Sequence, residues 1–139
     1  MNFERSIAMR ATGLLLIGAA LAGCVAQPPA TRSAEAQAKY QRLLAGKVPG
    51  PSVTCLPHYR SDDMVTIDNS TVAFKNGRTV YVNHLIGECQ GLNSGFYTLV
   101  TRSSGSGLCR GDIADVRDIR TGMIVGACAM GDFTPYKPS

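Results

Sequence analysis

A chain of 139 residues with a formal charge of +4 has room for one domain with a hydrophobic core, and not for two once a leader is removed. From Pro51 to Ser139, eight basic residues stand against eight acidic ones. The excess therefore lies ahead of Pro51, no basic stripe marks a nucleic-acid face, and no cofactor motif is present.

Residues 1 to 10 carry Arg5 and Arg10 against Glu4, and Ala11 to Ala22 is almost wholly apolar around Leu14-Leu15-Leu16-Ile17. This is the layout of an export signal, and the run is too short to span a bilayer as a helix. It ends in Leu21-Ala22-Gly23-Cys24. That ending resembles the lipobox of bacterial lipoproteins, which implies cleavage before Cys24 and acylation at that residue, palmitate included. An ordinary signal peptide with a chance Cys is the alternative. Two or more acyl chains, at about 0.8 kcal/mol per buried methylene, hold a small domain on a membrane almost permanently. Val25, where retained lipoproteins carry Asp, implies the outer membrane and its periplasmic face. The expected organisation is a signal peptide over 1–23, the lipidated Cys with a tether and short helix over 24–50, and a disulfide-linked β domain over 51–139.

Pro28-Pro29 excludes helix from the tether. Ser33 reads as an N-cap for a helix from Ala34 to Ala45, closed by Gly46, whose narrow apolar side (Tyr40, Leu43, Leu44) predicts a position on the domain surface or free movement. Arg32, Lys39, Arg42 and Lys47, close to the anchor, are placed to rest against anionic head groups. Pro49-Gly50-Pro51 separates the helix from the rest.

Beyond Ser52, short runs rich in Val, Ile, Thr, Tyr and Phe predict antiparallel strands at Val53 to Leu56, Met64 to Asp68, Phe96 to Thr101, Gly111 to Asp118 and Met123 to Ala129. Thr71 to Lys75, Asn76-Gly77 and Arg78 to Val82 form a hairpin signal, with Val72, Phe74, Val80 and Val82 as inward candidates. Asp112 to Ile119 also suits a helical turn. The fold class is mainly β, a small antiparallel barrel or sandwich with one short N-terminal helix.

With Cys24 assigned to lipid, Cys55, Cys89, Cys109 and Cys128 form an even set in an oxidising compartment. A closed sheet that joins its first and last strands favours Cys55 with Cys128 and Cys89 with Cys109.

The blocks Gly87-Glu88-Cys89, Leu108-Cys109-Arg110-Gly111-Asp112 and Gly131-Asp132-Phe133-Thr134-Pro135-Tyr136 give residues 43 to 136 a resemblance to small alphaproteobacterial envelope proteins grouped as a domain of unknown function. It implies a secreted or lipid-anchored domain with paired cysteines, and it carries over no catalytic residue.

Chemistry-bearing residues are few. Cys55, His58, His84 and Cys89 have the makings of a tetrahedral zinc site, but thiols in an oxidising compartment pair instead. A hydrolase has only His58 and His84 as bases, and His84 would need a nucleophile and a carboxylate beside it. Asp62-Asp63 and Asp112, Asp115, Asp118 are interleaved with Arg110, Arg117 and Arg120, which favours local ion pairs over glycoside cleavage. Arg110-Gly111-Asp112 reads as a turn beside a cystine. Phe133-Thr134-Pro135-Tyr136 is a candidate for an outward-facing interface. The expected role is a noncatalytic structural or binding module, not an enzyme, with an envelope protein as possible partner. A lysozyme-inhibitor-like β-barrel lipoprotein with Ser103 to Gly107 as probing loop is the alternative, by architecture alone.

Cells grown on radioactive palmitate are expected to label the chain, and Cys24→Ala to abolish the label. A labelled Cys24→Ala chain, or an unlabelled wild type, contradicts acylation at that sulfur.

Overall fold

The computed structural model describes residues 31–57, 63–103, 105 and 107–139, and in them the chain forms one α-helix, a short 3-10 turn at Leu92–Ser94 and ten strands. Cys24 and His58 lie outside the described residues, as do Asp62 and two residues of the Ser103–Gly107 loop.

Helix α1 (Ala34–Leu44) starts where its cap predicts. The Ser33 hydroxyl accepts from the Ala36 N–H at 3.2 Å, and Gly46, at φ 69°, allows the chain to turn away after the last helical residues. Strand β1 (Lys47–Pro49) follows at once and pairs antiparallel with β10 (Phe133–Pro138). β10 in turn pairs with β5 (Thr79–His84), β5 with β4 (Thr71–Asn76), and β4 with β3 (Met64–Asp68), giving a five-stranded sheet in the order β1-β10-β5-β4-β3. A second sheet has the order β6-β8-β9, from β6 (Tyr97–Arg102), β8 (Ile113–Asp118) and β9 (Ile124–Ala129). Short strands β2 (Cys55–Pro57) and β7 (Gly107–Cys109) pair with each other.

The sheets stay separate, so the architecture is a sandwich and not a barrel. The mainly β class with one N-terminal helix is as expected. Val72, Phe74 and Phe133 on one face of the large sheet pack in one cluster with Leu99, Ala114 and Val116 of the three-stranded sheet and with Leu56 and Leu108. The other face presents Ala73, Val80 and Val82 to Tyr40, Leu43 and Leu44 of the helix. All four expected inward residues of the hairpin are buried, but on two opposite faces, because β4 and β5 are covered on both sides. Its two-residue loop is Gly77-Arg78, one position beyond the expected Asn76-Gly77. Asn76 pairs with Thr79, and Gly77 takes φ 58°.

The helix therefore belongs to the folded unit, which begins at Thr31. It lies on the domain surface, one of the two expected placements, and is held there with Tyr40, Leu43 and Leu44 against the sheet. The Arg32 guanidinium donates to Asp68 Oδ2 at 2.7 Å and Thr71 Oγ1 at 3.0 Å and lies over the Tyr40 ring at 4.4 Å. Lys39 Nζ donates to the Thr66 carbonyl at 2.5 Å. These two cations face the domain, which corrects their assignment to lipid head groups. Midway along the helix the Tyr40 hydroxyl meets that of Tyr136 at 3.2 Å, and burial with that bond pushes the Tyr40 hydroxyl up to about 12.

The disulfides are Cys55–Cys109 and Cys89–Cys128, not the expected Cys55 with Cys128 and Cys89 with Cys109. The expectation assumed a closed sheet. Instead Cys55 and Cys109 stand opposite each other in the β2–β7 pair, Cα atoms 4.0 Å apart. The Ile86–Ala129 bridge brings the segment after β5 alongside the end of β9, and with it Cys89 to Cys128. On the loop-entropy model, closing loops of these separations, 54 and 39 residues, contributes about 4 kcal/mol each.

A buried amide fixes β5 against the turn that enters β10. Asn83, fully buried, donates from Nδ2 to the Gly131 carbonyl at 2.8 Å and accepts the Gly131 N–H at Oδ1 at 2.9 Å. Any side chain at 131 is shut out, since a Cβ there would sit 2.1 Å from the His84 carbonyl oxygen. Asn83→Ala leaves a buried N–H and C=O without partners and is expected to cost about 3 kcal/mol. The measurement is a lowered urea midpoint at unchanged slope, and a loss below about 1 kcal/mol contradicts this role for Asn83.

Candidate functional site

Two concave surfaces matter. The first, of about 340 Å³, lies where the end of β5 meets the Gly131 turn and brings His84 together with Ser52, Arg110, Asp132 and Thr134. A serine, a histidine and a carboxylate thus share one hollow, as a hydrolase requires. Their bonds run elsewhere. The Ser52 hydroxyl is paired with the Thr134 hydroxyl at 2.9 Å, and Asp132 accepts from Arg110 at 2.9 Å. The His84 imidazole has no hydrogen bond to any described side chain, and the charges that act on it are those of Arg32 and Asp68. Solvent still reaches the ring, yet partial burial lowers its pKa, Arg32 lowers it further, and Asp68 opposes both. Ser52, His84 and Asp132 therefore do not form a proton relay in this arrangement.

Among the described residues, Cys55, Cys89, Asp112, Asp115 and Asp118 are engaged in holding the fold. Cys55 and Cys89 are in two different disulfides, so neither offers a thiolate to a metal. Asp112 caps the Cys109 N–H at 2.7 Å, in a turn where Gly111 takes φ 87°. Asp115, buried, accepts two bonds from Arg102 at 3.0 and 2.7 Å, with Arg117 at 3.6 Å. Asp118 accepts the N–H groups of Arg120 and Thr121, which hold its carboxyl below the usual range. Of the three carboxylates expected in ion pairs on a solvated face, only Asp115 makes one among the described residues, with Arg117 and with Arg102, and it is buried, whereas Asp112 and Asp118 bond to turn N–H groups.

The second surface is apolar and has no counterpart among the expected sites. Val48, Pro49, Pro51, Val53, Tyr81 and Pro135 line a groove of about 730 Å³, with Cys55 in its wall and Lys137 at its rim. Register explains the grouping. Val48 lies opposite Lys137 and Pro135 opposite Tyr81, so these side chains share the face that carries Phe133 into the core. Val48 is 51% exposed and Val53 40%. The Pro49-Gly50-Pro51 segment, expected only to separate helix from domain, frames the groove, and the Gly50 N–H donates to the Pro135 carbonyl at 2.7 Å. Of the proposed Phe133 to Tyr136 interface, Phe133 is buried and Tyr136 faces the helix, and only Pro135 reaches this surface. The sequence signal was the density of Pro and Val around Gly50, which reads equally well as a linker.

Comparison of the chain with protein-family models, with curated proteins and with solved structures finds no match.

His84 gives the domain a pH dependence of defined sign. Its folded pKa lies below the ordinary 6.5, so the unfolded chain takes up the proton first and stability falls as pH drops through that value. Burial alone would raise Asp68, but its bonds from Arg32, the Ser70 N–H and Thr71 outweigh burial and hold it below 3.8, which adds a second loss at lower pH. Urea unfolding between pH 7 and 5 is expected to show a declining stability that flattens in His84→Gln. An identical decline in the variant contradicts the His84 contribution.

Proposed function

We propose that this chain is a lipoprotein of the bacterial envelope, held at the periplasmic face of the outer membrane through Cys24, whose domain binds a partner and catalyses nothing. The export-signal layout that ends at Cys24 and the two disulfides, at home in an oxidising compartment, support the location.

The observation that carries the binding role is the contrast between the two concave surfaces. The polar one has its serine and carboxylate engaged with other neighbours. The apolar one keeps valine and proline side chains in water, which costs free energy that a bound apolar segment recovers. Its dimensions and its single rim cation suit an extended, mainly apolar stretch of another envelope protein.

A photo-cross-linking residue in place of Val53 is expected to give, in intact cells, one discrete adduct of higher mass. Val48→Asp in the same chain is expected to abolish that adduct. Absence of any adduct, or one that survives Val48→Asp, contradicts a partner in this groove.

A further inference from the structure

Among the described residues, the three most exposed large apolar side chains are Phe96 and Met123, both 66%, and Ile119, 59%. They are not scattered. The Ile119 N–H donates to the Phe96 carbonyl at 3.1 Å, and the Asp118 N–H donates to the Met123 carbonyl at 2.9 Å, so all three residues crowd one end of the β6-β8-β9 sheet. Ile124, 51% exposed, follows directly. Arg120 is exposed at this tip, Arg117 turns back toward Asp115 at 3.6 Å and the Gly122 carbonyl, Asp118 is turned onto the N–H groups of residues 120 and 121, and Glu35 and Lys39 line the adjoining cleft. The turn between β4 and β5, by contrast, exposes Lys75, Asn76, Gly77 and Arg78.

The path of the chain says what meets this tip. Ser33 and Ala36, at the start of the helix, share a cleft with Gly95 and Tyr97, the two neighbours of Phe96. The domain thus begins beside its own apolar tip. From Cys24 to Thr31 are seven residues, a reach of at most about 25 Å even fully extended. A chain anchored at Cys24 keeps this end of the domain within about 25 Å of the bilayer.

We propose that Phe96, Ile119 and Met123 rest in the interfacial layer of the membrane, with Arg120 at the level of anionic head groups, so that the domain is held in one orientation. The proposal rests on the anchoring at Cys24 set out above. Apolar burial and cationic attraction reinforce each other in this arrangement, as in other interfacial anchors.

The chain contains no tryptophan, which makes Phe96→Trp a sole reporter. The acylated full-length Phe96→Trp chain is reconstituted in vesicles of phosphatidylethanolamine and phosphatidylglycerol, with Lys75→Trp as the control at the polar turn. A blue-shifted emission, quenched by brominated acyl chains, is expected for Phe96→Trp and not for Lys75→Trp, and Ile119→Ser with Met123→Ser is expected to remove it. Equal, water-like emission from both reporters overturns the proposal and leaves the tip to a protein partner. Failure of the chain to float with vesicles indicts the anchor instead. In that event unacylated Phe96→Trp chain in excess anionic lipid decides the tip, a blue shift supporting contact and its absence overturning it.

Discussion

The fold depends on a pair of central strands that must be covered on both faces. Thr71 to Phe74 are all buried, as are Val80, Val82 and Asn83 opposite them, so a sheet with only one protected side would leave a stripe of valines in water. The three-stranded sheet covers one face. The other is covered by an eleven-residue helix, which ordinary helix energetics would not keep folded alone. Arg32 completes the arrangement by tying the residue ahead of the helix to Asp68, Thr71 and the Tyr40 ring. Packing and the half-buried ion pair act together here, and neither partner of that pair is left alone in a low-dielectric site.

Local features were legible where local chemistry decides them. Ser33 and Gly46 bounded the helix, and the runs around Asn76-Gly77 announced the hairpin, though its loop came out one residue later. Three strands were not legible. β1 and β7 are three residues each, too short to show a period of two, and β10 contains Pro135 and Pro138, which count against a strand. Pro135 is tolerated because its carbonyl still accepts from Gly50 at the point where β1 has ended, so only the return bond is missing. The disulfide pairing was illegible for a related reason. It follows from β2 meeting β7 and from the Ile86–Ala129 bridge, both contacts between distant segments. Of the site, His84 was singled out by type, but its distance from any relay is a tertiary fact. The apolar groove needs β1 beside β10 and had no sequence signature apart from its prolines.

The docked helix also bears on the proposed anchoring. A free helix would let the domain wander at the end of a long leash. On the anchoring proposed at Cys24, a helix held in the folded unit leaves only the few residues between Cys24 and Thr31 as a leash, and Thr31 opens the unit beside the most exposed apolar side chains of the domain. The groove of Val48, Val53 and Pro135 is built from other strands and stays available to a second molecule.

Native-state hydrogen exchange on the intact chain tests this most directly. If the helix is an obligatory cover for the sheet, the amides of Lys39 to Leu43 open with the same free energy as those of Val80 and Val82, because they unfold as one cooperative unit. Helix amides that exchange by local fraying while β5 stays protected would contradict it.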